Sequence, residues 1–283
     1  MGGGHVDFAA GQGASLDLAY ALTLAPDQAI AYFRAKGYAI TWGWQELWQE
    51  AQAKAFTVAG ITKMDVLVDV RQAVDAALAK GETYSQFEKQ LAPILQAKGW
   101  FGRGAQIDAD TGEMSGKALT PWRLKTIYQT NLQTAYMAGR YKTQMENVAS
   151  RPFWQYVAVM DRRTRPSHAA LNGLVFRADD PFWQSFYPPC GFNCRCRVRA
   201  LDSENMRSRK IDLSSSQGRL SEIRVPVSKR PDAATVPVTR FEFAPGKFVA
   251  PDPGWNYNPG RAWKPELDKY PADLVRQTRD RPP

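Results

Sequence analysis

All three cysteines of this 283-residue chain fall within seven positions, in the stretch Tyr187-Pro-Pro-Cys-Gly-Phe-Asn-Cys-Arg-Cys-Arg197. His168, one of two histidines, lies 22 positions before Cys190. Thiols and an imidazole brought together point to a metal site or a redox staple, and either would organise a loop. Zn²⁺ held by His168, Cys190, Cys194 and Cys196 would have a complete tetrahedral shell, which is the pattern of a structural site. The C-x₃-C-x-C spacing crowds two ligands, and a disulfide between Cys190 and Cys196 is the alternative. Free thiols around a buried, hydrogen-bonded His168 are the third possibility. An enzymatic alternative is a Cys–His nucleophilic pair oriented by Asp161 or Asn193, although nothing in the spacing requires it.

Apolar residues make up 44% of the chain and aromatics 12%, enough for one large domain or two smaller ones with a real core. Charges break every apolar run before it could span a bilayer, and the start, Met-Gly-Gly-Gly-His5, is too small and polar for a secretory signal. Three cysteines are too few for a disulfide scaffold, so folding in a reducing cytoplasm is expected. No phosphate-cradling glycine loop, GxSxG or HExxH is present, and Asp179-Asp180 before Pro181 reads as a turn.

The net charge of +9 is uneven. Residues 1–100 carry 8 basic and 10 acidic groups, residues 101–201 carry 14 and 7, and residues 202–283 carry 15 and 11. Of the 14 basic groups in the middle third, 11 are arginines. This favours an anionic partner, nucleic acid or an acidic protein surface. Arg162, Arg163 and Arg165 form the best candidate cluster. The competing reading is that one or more of them clamps the Asp-rich turn by pairing within the chain.

Helical spacing dominates the first half. Pro26-Asp27 opens a helix that stops near Gly37, and a second is expected from about Trp42 to Val58. Thr62-Lys-Met-Asp65 resembles a capping box ahead of Val66, Leu67, Val70, Val74 and Leu78, with Gly81 as the stop. Ser85 is expected to start a helix with the stripe Phe87, Leu91, Ile94 and Leu95, kinked or shortened by Pro93. Residues 99–119 read as a linker or exposed loop. Thr120-Pro121 then opens a long helix reaching Met145, with Asn131 on its apolar stripe and in need of partners. Strands are expected at 153–160, 174–176 and 196–201, with a short helix over 167–171 and a turn at Asn172-Gly173. Beyond Leu201 only short extended pieces are expected, and such segments wrap a surface or fold on a partner. The fold class is therefore α+β. A helical N-terminal region (1–100) and a linker (101–120) precede a core domain (121–201) of one long helix and a small sheet with a Cys/His-pinned loop. An extended, partner-docking C-terminal region follows (202–283).

The ordered set Thr130-Asn-Leu-Gln-Thr-Ala-Tyr-Met-Ala-Gly-Arg140, Trp154-Gln-Tyr156, Asp161-Arg-Arg-Thr-Arg-Pro-Ser-His168, Leu171-Asn-Gly173, Asp179-Asp-Pro-Phe-Trp183 and Pro188-Pro-Cys-Gly-Phe-Asn-Cys-Arg-Cys196 resembles the phage Mu F-like minor head proteins, or head morphogenesis proteins. The resemblance is densest over 121–201. It implies a non-enzymatic structural role in building the head of a tailed double-stranded DNA phage or prophage. Such proteins are low-copy capsid components of the virion, made in the bacterial cytoplasm, associated with the portal and sometimes with DNA, and not with membranes. Some relatives carry C-terminal toxin domains, which this chain is expected to lack. Cys190 stands where the family commonly has another polar residue such as Asn, so the resemblance implies His168, Cys194 and Cys196 as the shared set.

Overall fold

In the computed structural model of the chain, residues 27–42, 51–107, 114–228 and 230–263 are described. The helical stripes of the first half assemble into one aliphatic core. Helix α1 (Asp27–Arg34) leads into strand β1 (Gly37–Tyr38), and the short helix α2 (Ala51–Lys54) into β2 (Ala55–Phe56), which pairs parallel with β1. Residues 55–56, expected at the end of the second helix, are therefore strand; residues 43–50 of that helix lie outside the described residues. Helix α3 (Met64–Lys80) buries Val66, Leu67, Val70, Val74, Ala77 and Leu78, and Gly81 ends it in the left-handed conformation at φ 65°. Burial of each of these Val and Leu side chains contributes about 1.5–3 kcal/mol.

The capping box forms one helix later than expected. Lys63 precedes α3 without a side-chain cap, and Asp65 instead faces Lys98 at 3.2 Å. Thr83 begins α4 (Tyr84–Ala97): its hydroxyl accepts from Gln86 N–H, and the Gln86 side chain accepts the Thr83 N–H at 2.8 Å. α4 runs through Pro93, which lies on the solvent side, so the lost backbone bond disturbs no packing. Ile94 shares that side, 45% exposed, and is not part of the stripe. Within the expected linker, β3 (Ala105–Ile107) and β4 (Met114–Lys117) form an antiparallel hairpin. Leu119 N–H donates to Trp100 O at 2.7 Å, and both residues are buried in the helical core.

Helix α5 (Pro121–Glu146) opens as expected, with Thr120 accepting from Arg123 N–H and Pro121 in the first turn. It divides two cores. Leu124, Leu132, Ala135 and Ala138 face the helical one, and Met137 and Tyr141 face an aromatic one. Gly139 allows α1 to cross closely: a Cβ there would lie 3.1 Å from Ala29 N. Asn131, half-buried, donates to its own helix at Ile127 O and joins no buried network among the described residues.

The aromatic core sits on a three-stranded antiparallel sheet of order β6-β5-β7: β5 (Phe153–Val157), β6 (Val175–Arg177) and β7 (Arg197–Leu201). Alternation along β5 turns Trp154 and Tyr156 inward against Phe176, Phe182, Trp183, Phe186 and Tyr187. β5 stops earlier than expected because the Asn172 side chain takes the Ala158 N–H at 3.0 Å. Short helices α6 (Pro166–Ala169) and α7 (Phe182–Ser185) connect the strands. The outer edge of β7 is closed from α5, where Gln133 and Gln144 donate to Cys196 O (2.6 Å) and Val198 O (3.0 Å).

After β7 come α8 (Ser203–Ser208), an antiparallel sheet of order β10-β9-β8, and α9 (Pro259–Ala262). Its strands are β8 (Leu220–Pro226), β9 (Thr235–Ala244) and β10 (Lys247–Val249). The composition of this part predicts a segment that wraps a surface or folds on a partner. Up to Trp263 it packs on its own chain, because its apolar side chains fit both cores: Phe241 and Val249 enter the aromatic core, and Tyr257 and Ala262 the helical one. Asn258 fixes the path by donating to Trp183 O at 3.1 Å. Residues 264–283 lie outside the described residues.

Candidate metal centre

His168 stands on α6, whose start is set by Pro166 in the first turn. Its Nδ1 lies 3.4 Å from Cys196 Sγ and 3.7 Å from Cys194 Sγ. The three ligand atoms all lie within 4.8 Å of one another, and all three residues are buried. Tetrahedral Zn²⁺ with ordinary Zn–S and Zn–N bonds places N and S ligands about 3.6 Å apart and two S ligands about 3.8 Å apart. The donor set therefore fits such an ion, held by one imidazole and two thiols and leaving a fourth position for another ligand. The shared hydrogen bond with Cys196 draws Cys194 well below the ordinary thiol range, with His168 adding to the effect against the opposing cost of burial. The same bond, together with burial, pushes Cys196 up. Two thiols beside an imidazole are a ligand set for a soft cation.

Cys190 does not belong to this group. Its Sγ lies 3.5 Å from Phe186 O and 3.9 Å from the Tyr156 hydroxyl, and burial pushes its thiol well up. The expected four-ligand set thus becomes three on geometry, and no disulfide joins any of the three cysteines. Asp161 and Asn193 make no hydrogen bond to His168 among the described residues. Asp161 is gripped by Arg195 at 2.6 and 2.7 Å, which holds its carboxyl well below the usual carboxylate range. Asn193, at φ 58°, supplies the left-handed turn that brings Cys194 round to His168.

The three arginines separate. Arg165 clamps Asp252 with Nη1 and Phe192 O with Nη2, both at 2.7 Å. Arg163 stands 3.6 Å from Asp161 and is mostly exposed. Arg162 is exposed. A clamp on an acidic residue was anticipated, but its target lies 87 positions away rather than in the local turn. Asp252 N–H also donates to Cys190 O at 3.0 Å, and Trp255 meets Phe192 edge-on at 5.0 Å. Gly191 is required where these converge, since a Cβ there would collide with the Arg165 guanidinium and the Asp252 carboxylate. A cleft lined by Thr164, Arg163, Arg165, Asn193 and Arg195 opens beside the thiols. Sequence reasoning missed Gln133, Gln144, Arg195 and Asp252. Arg195, between two cysteines, carried the one local signal.

The family described as Phage Mu protein F like protein matches residues 68–199, from within α3 through β7. Over 252 residues, 88% of this chain, it is 46% identical to the F protein of Escherichia phage Mu, which is named for capsid assembly. The chain belongs to the Mu F-like family. A second relative, the Mu-like prophage FluMu F protein of Haemophilus influenzae, is 42% identical over 226 residues, 79% of this chain. The chain spans 57% and 53% of the lengths of these two Mu F-like proteins. An uncharacterized protein of Methanocaldococcus jannaschii is 29% identical over 120 residues, 41% of this chain and 18% of its own. No solved structure matches. The family match takes in His168, Cys194 and Cys196.

Proposed function

We propose that the chain is a structural, non-enzymatic component in head morphogenesis of a tailed double-stranded DNA phage or prophage. It would be assembled in the host cytoplasm and retained in the virion head near the portal. The observation that carries this is the 46% identity to the phage Mu F protein across 88% of the chain. Portal and other head proteins are the partners that reading implies. Among the described residues no helix is long and apolar enough to cross a membrane. Arg162 and Arg163, the two arginines of the cluster that face solvent, are the candidates for contact with DNA or an acidic head protein. Deleting the gene from an inducible prophage tests the role. Induced lysates are expected to lack DNA-filled heads by electron microscopy, and a normal yield of filled heads would refute it.

Within that role, His168, Cys194 and Cys196 would hold one structural Zn²⁺ whose shell another ligand completes, tying α6 to the cysteine loop. The ion would supply a rigid cross-link that hydrogen bonds between thiols and an imidazole do not. Elemental analysis of protein purified under reducing conditions without chelator is expected to find one zinc per chain. Cys194→Ser should lose it and Cys190→Ser should keep it. Metal-free wild-type protein would overturn the assignment.

A further inference from the structure

The two three-stranded sheets treat their edges differently. Glutamines from α5 close the edge of β7, whereas β8 ends the order β10-β9-β8 with no strand beyond it among the described residues. Which backbone groups of β8 face outward follows from its partner. Pro237, opposite Arg224, has no N–H. Thr239, opposite Glu222, donates its N–H away from β8 to the Asn256 side chain at 3.2 Å. Val227 N–H donates to Ala234 O at 2.9 Å, which sets the alternation. The ladder to β9 therefore uses Ser221, Ile223, Val225 and Val227. The N–H and C=O groups of Leu220, Glu222 and Arg224 point outward.

We propose that this edge pairs with the same edge of a second copy of the chain, antiparallel and centred on Ile223. The register is written in the sequence Leu-Ser-Glu-Ile-Arg-Val-Pro226. With Ile223 opposite Ile223 of the second copy, Glu222 falls opposite Arg224 and Arg224 opposite Glu222. Each of these two pairs joins outward-facing groups, so each forms two backbone hydrogen bonds and one cross-strand ion pair. On the other face, half-buried Ile223 meets its own copy and Val225 meets Ser221. Glu222 is exposed and has no partner among the described residues, and Arg224 reaches only Thr235 within its own hairpin. Pro226, lacking an N–H, ends the pairing. A shift of one residue would place backbone groups already bonded to β9 against the second copy, and a shift of two would set Glu222 opposite Glu222 or Arg224 opposite Arg224, so this register is singled out. A two-fold interface of this kind is self-complementary by symmetry, which a single strand carrying opposite charges around a central apolar residue satisfies. The inference does not rest on the head-assembly role.

Sedimentation equilibrium of the full chain tests it. A reversible dimer is expected at about 100 µM. Glu222→Pro removes an outward N–H that β9 does not use and should weaken the dimer by tenfold or more, with an unchanged far-ultraviolet spectrum. Glu222→Arg sets like charges opposite at both pairs and should weaken it by about tenfold. The double change Glu222→Arg with Arg224→Glu restores both pairs and should restore dimerisation. A wild-type chain that stays monomeric, a dimer indifferent to Glu222→Pro, or a double variant no stronger than Glu222→Arg would each overturn the proposal.

Discussion

In the helical half, Val66, Leu67, Val70, Val74 and Leu78 lie on one face of α3 and are covered by other apolar side chains. Around β5, Trp154, Tyr156 and Tyr187 share a core with three thiols, and His168 and Gln144 lie buried beside it. The first core is non-directional: any close-packed apolar set of the right volume would serve. The second combines packing with hydrogen bonds that have fixed donors and acceptors. Tyr187 donates to Gln144 Oε1 at 2.7 Å, and Gln144 in turn donates to Val198 O. Mutations should therefore separate the halves by what else they disturb as well as by how much stability they remove.

The largest effect is expected from truncating the aromatic core. Trp154→Ala should cost about 3–5 kcal/mol in denaturant unfolding and also raise the reactivity of the buried thiols toward a thiol reagent. Leu67→Ala should cost about 2–5 kcal/mol yet leave the thiols protected. Equal exposure of the thiols in both variants would mean that the two cores open as one unit.

A smaller effect is expected from Gln144→Ala. It strands the Val198 carbonyl and the Tyr187 hydroxyl inside the protein, at about 1–3 kcal/mol in the same unfolding measurement. Asn131→Ala, which removes a bond only to its own helix, should stay within about 0.5 kcal/mol. A comparable loss for the two would remove the distinction drawn between them.

The smallest effect concerns pH. Arg195 keeps Asp161 ionised below its ordinary value of 3.8. A depressed carboxylate contributes stability that is present above the unfolded value and is lost as pH falls through the folded one. Arg195→Gln should therefore flatten part of the acid limb of an unfolding curve while leaving neutral pH little changed. An acid limb identical to wild type would show that the exposed pair contributes nothing measurable.

The same contrast explains what was readable in the chain. The stripe of α3, the cap at Thr120 and the strands at 153, 175 and 197 follow from local spacing, because helix and strand periods leave their mark on neighbouring residues. His168, Cys194 and Cys196 stood out by residue type and clustering. Cys190 was grouped with them because spacing cannot say which way a side chain turns; Tyr156 and the Phe186 carbonyl surround it instead. Gln133 and Gln144 carry no signal of their own, since a helical Gln reads as a solvated residue until β7 is laid against it. Asp252 and the docking of Phe241 and Tyr257 depend on contacts dozens of residues apart, which no local pattern records.

The clamp of Arg165 on Asp252 bears on the order in which the chain can be completed on the ribosome. Residues up to Cys196 can bring the three ligands together as soon as they emerge. The loop that carries them stays unfastened until more than fifty further residues have been made, because Asp252 supplies both the carboxylate for Arg165 and the N–H for Cys190 O. A nascent chain arrested before Asp252 would expose its thiols, and release past that point would hide them.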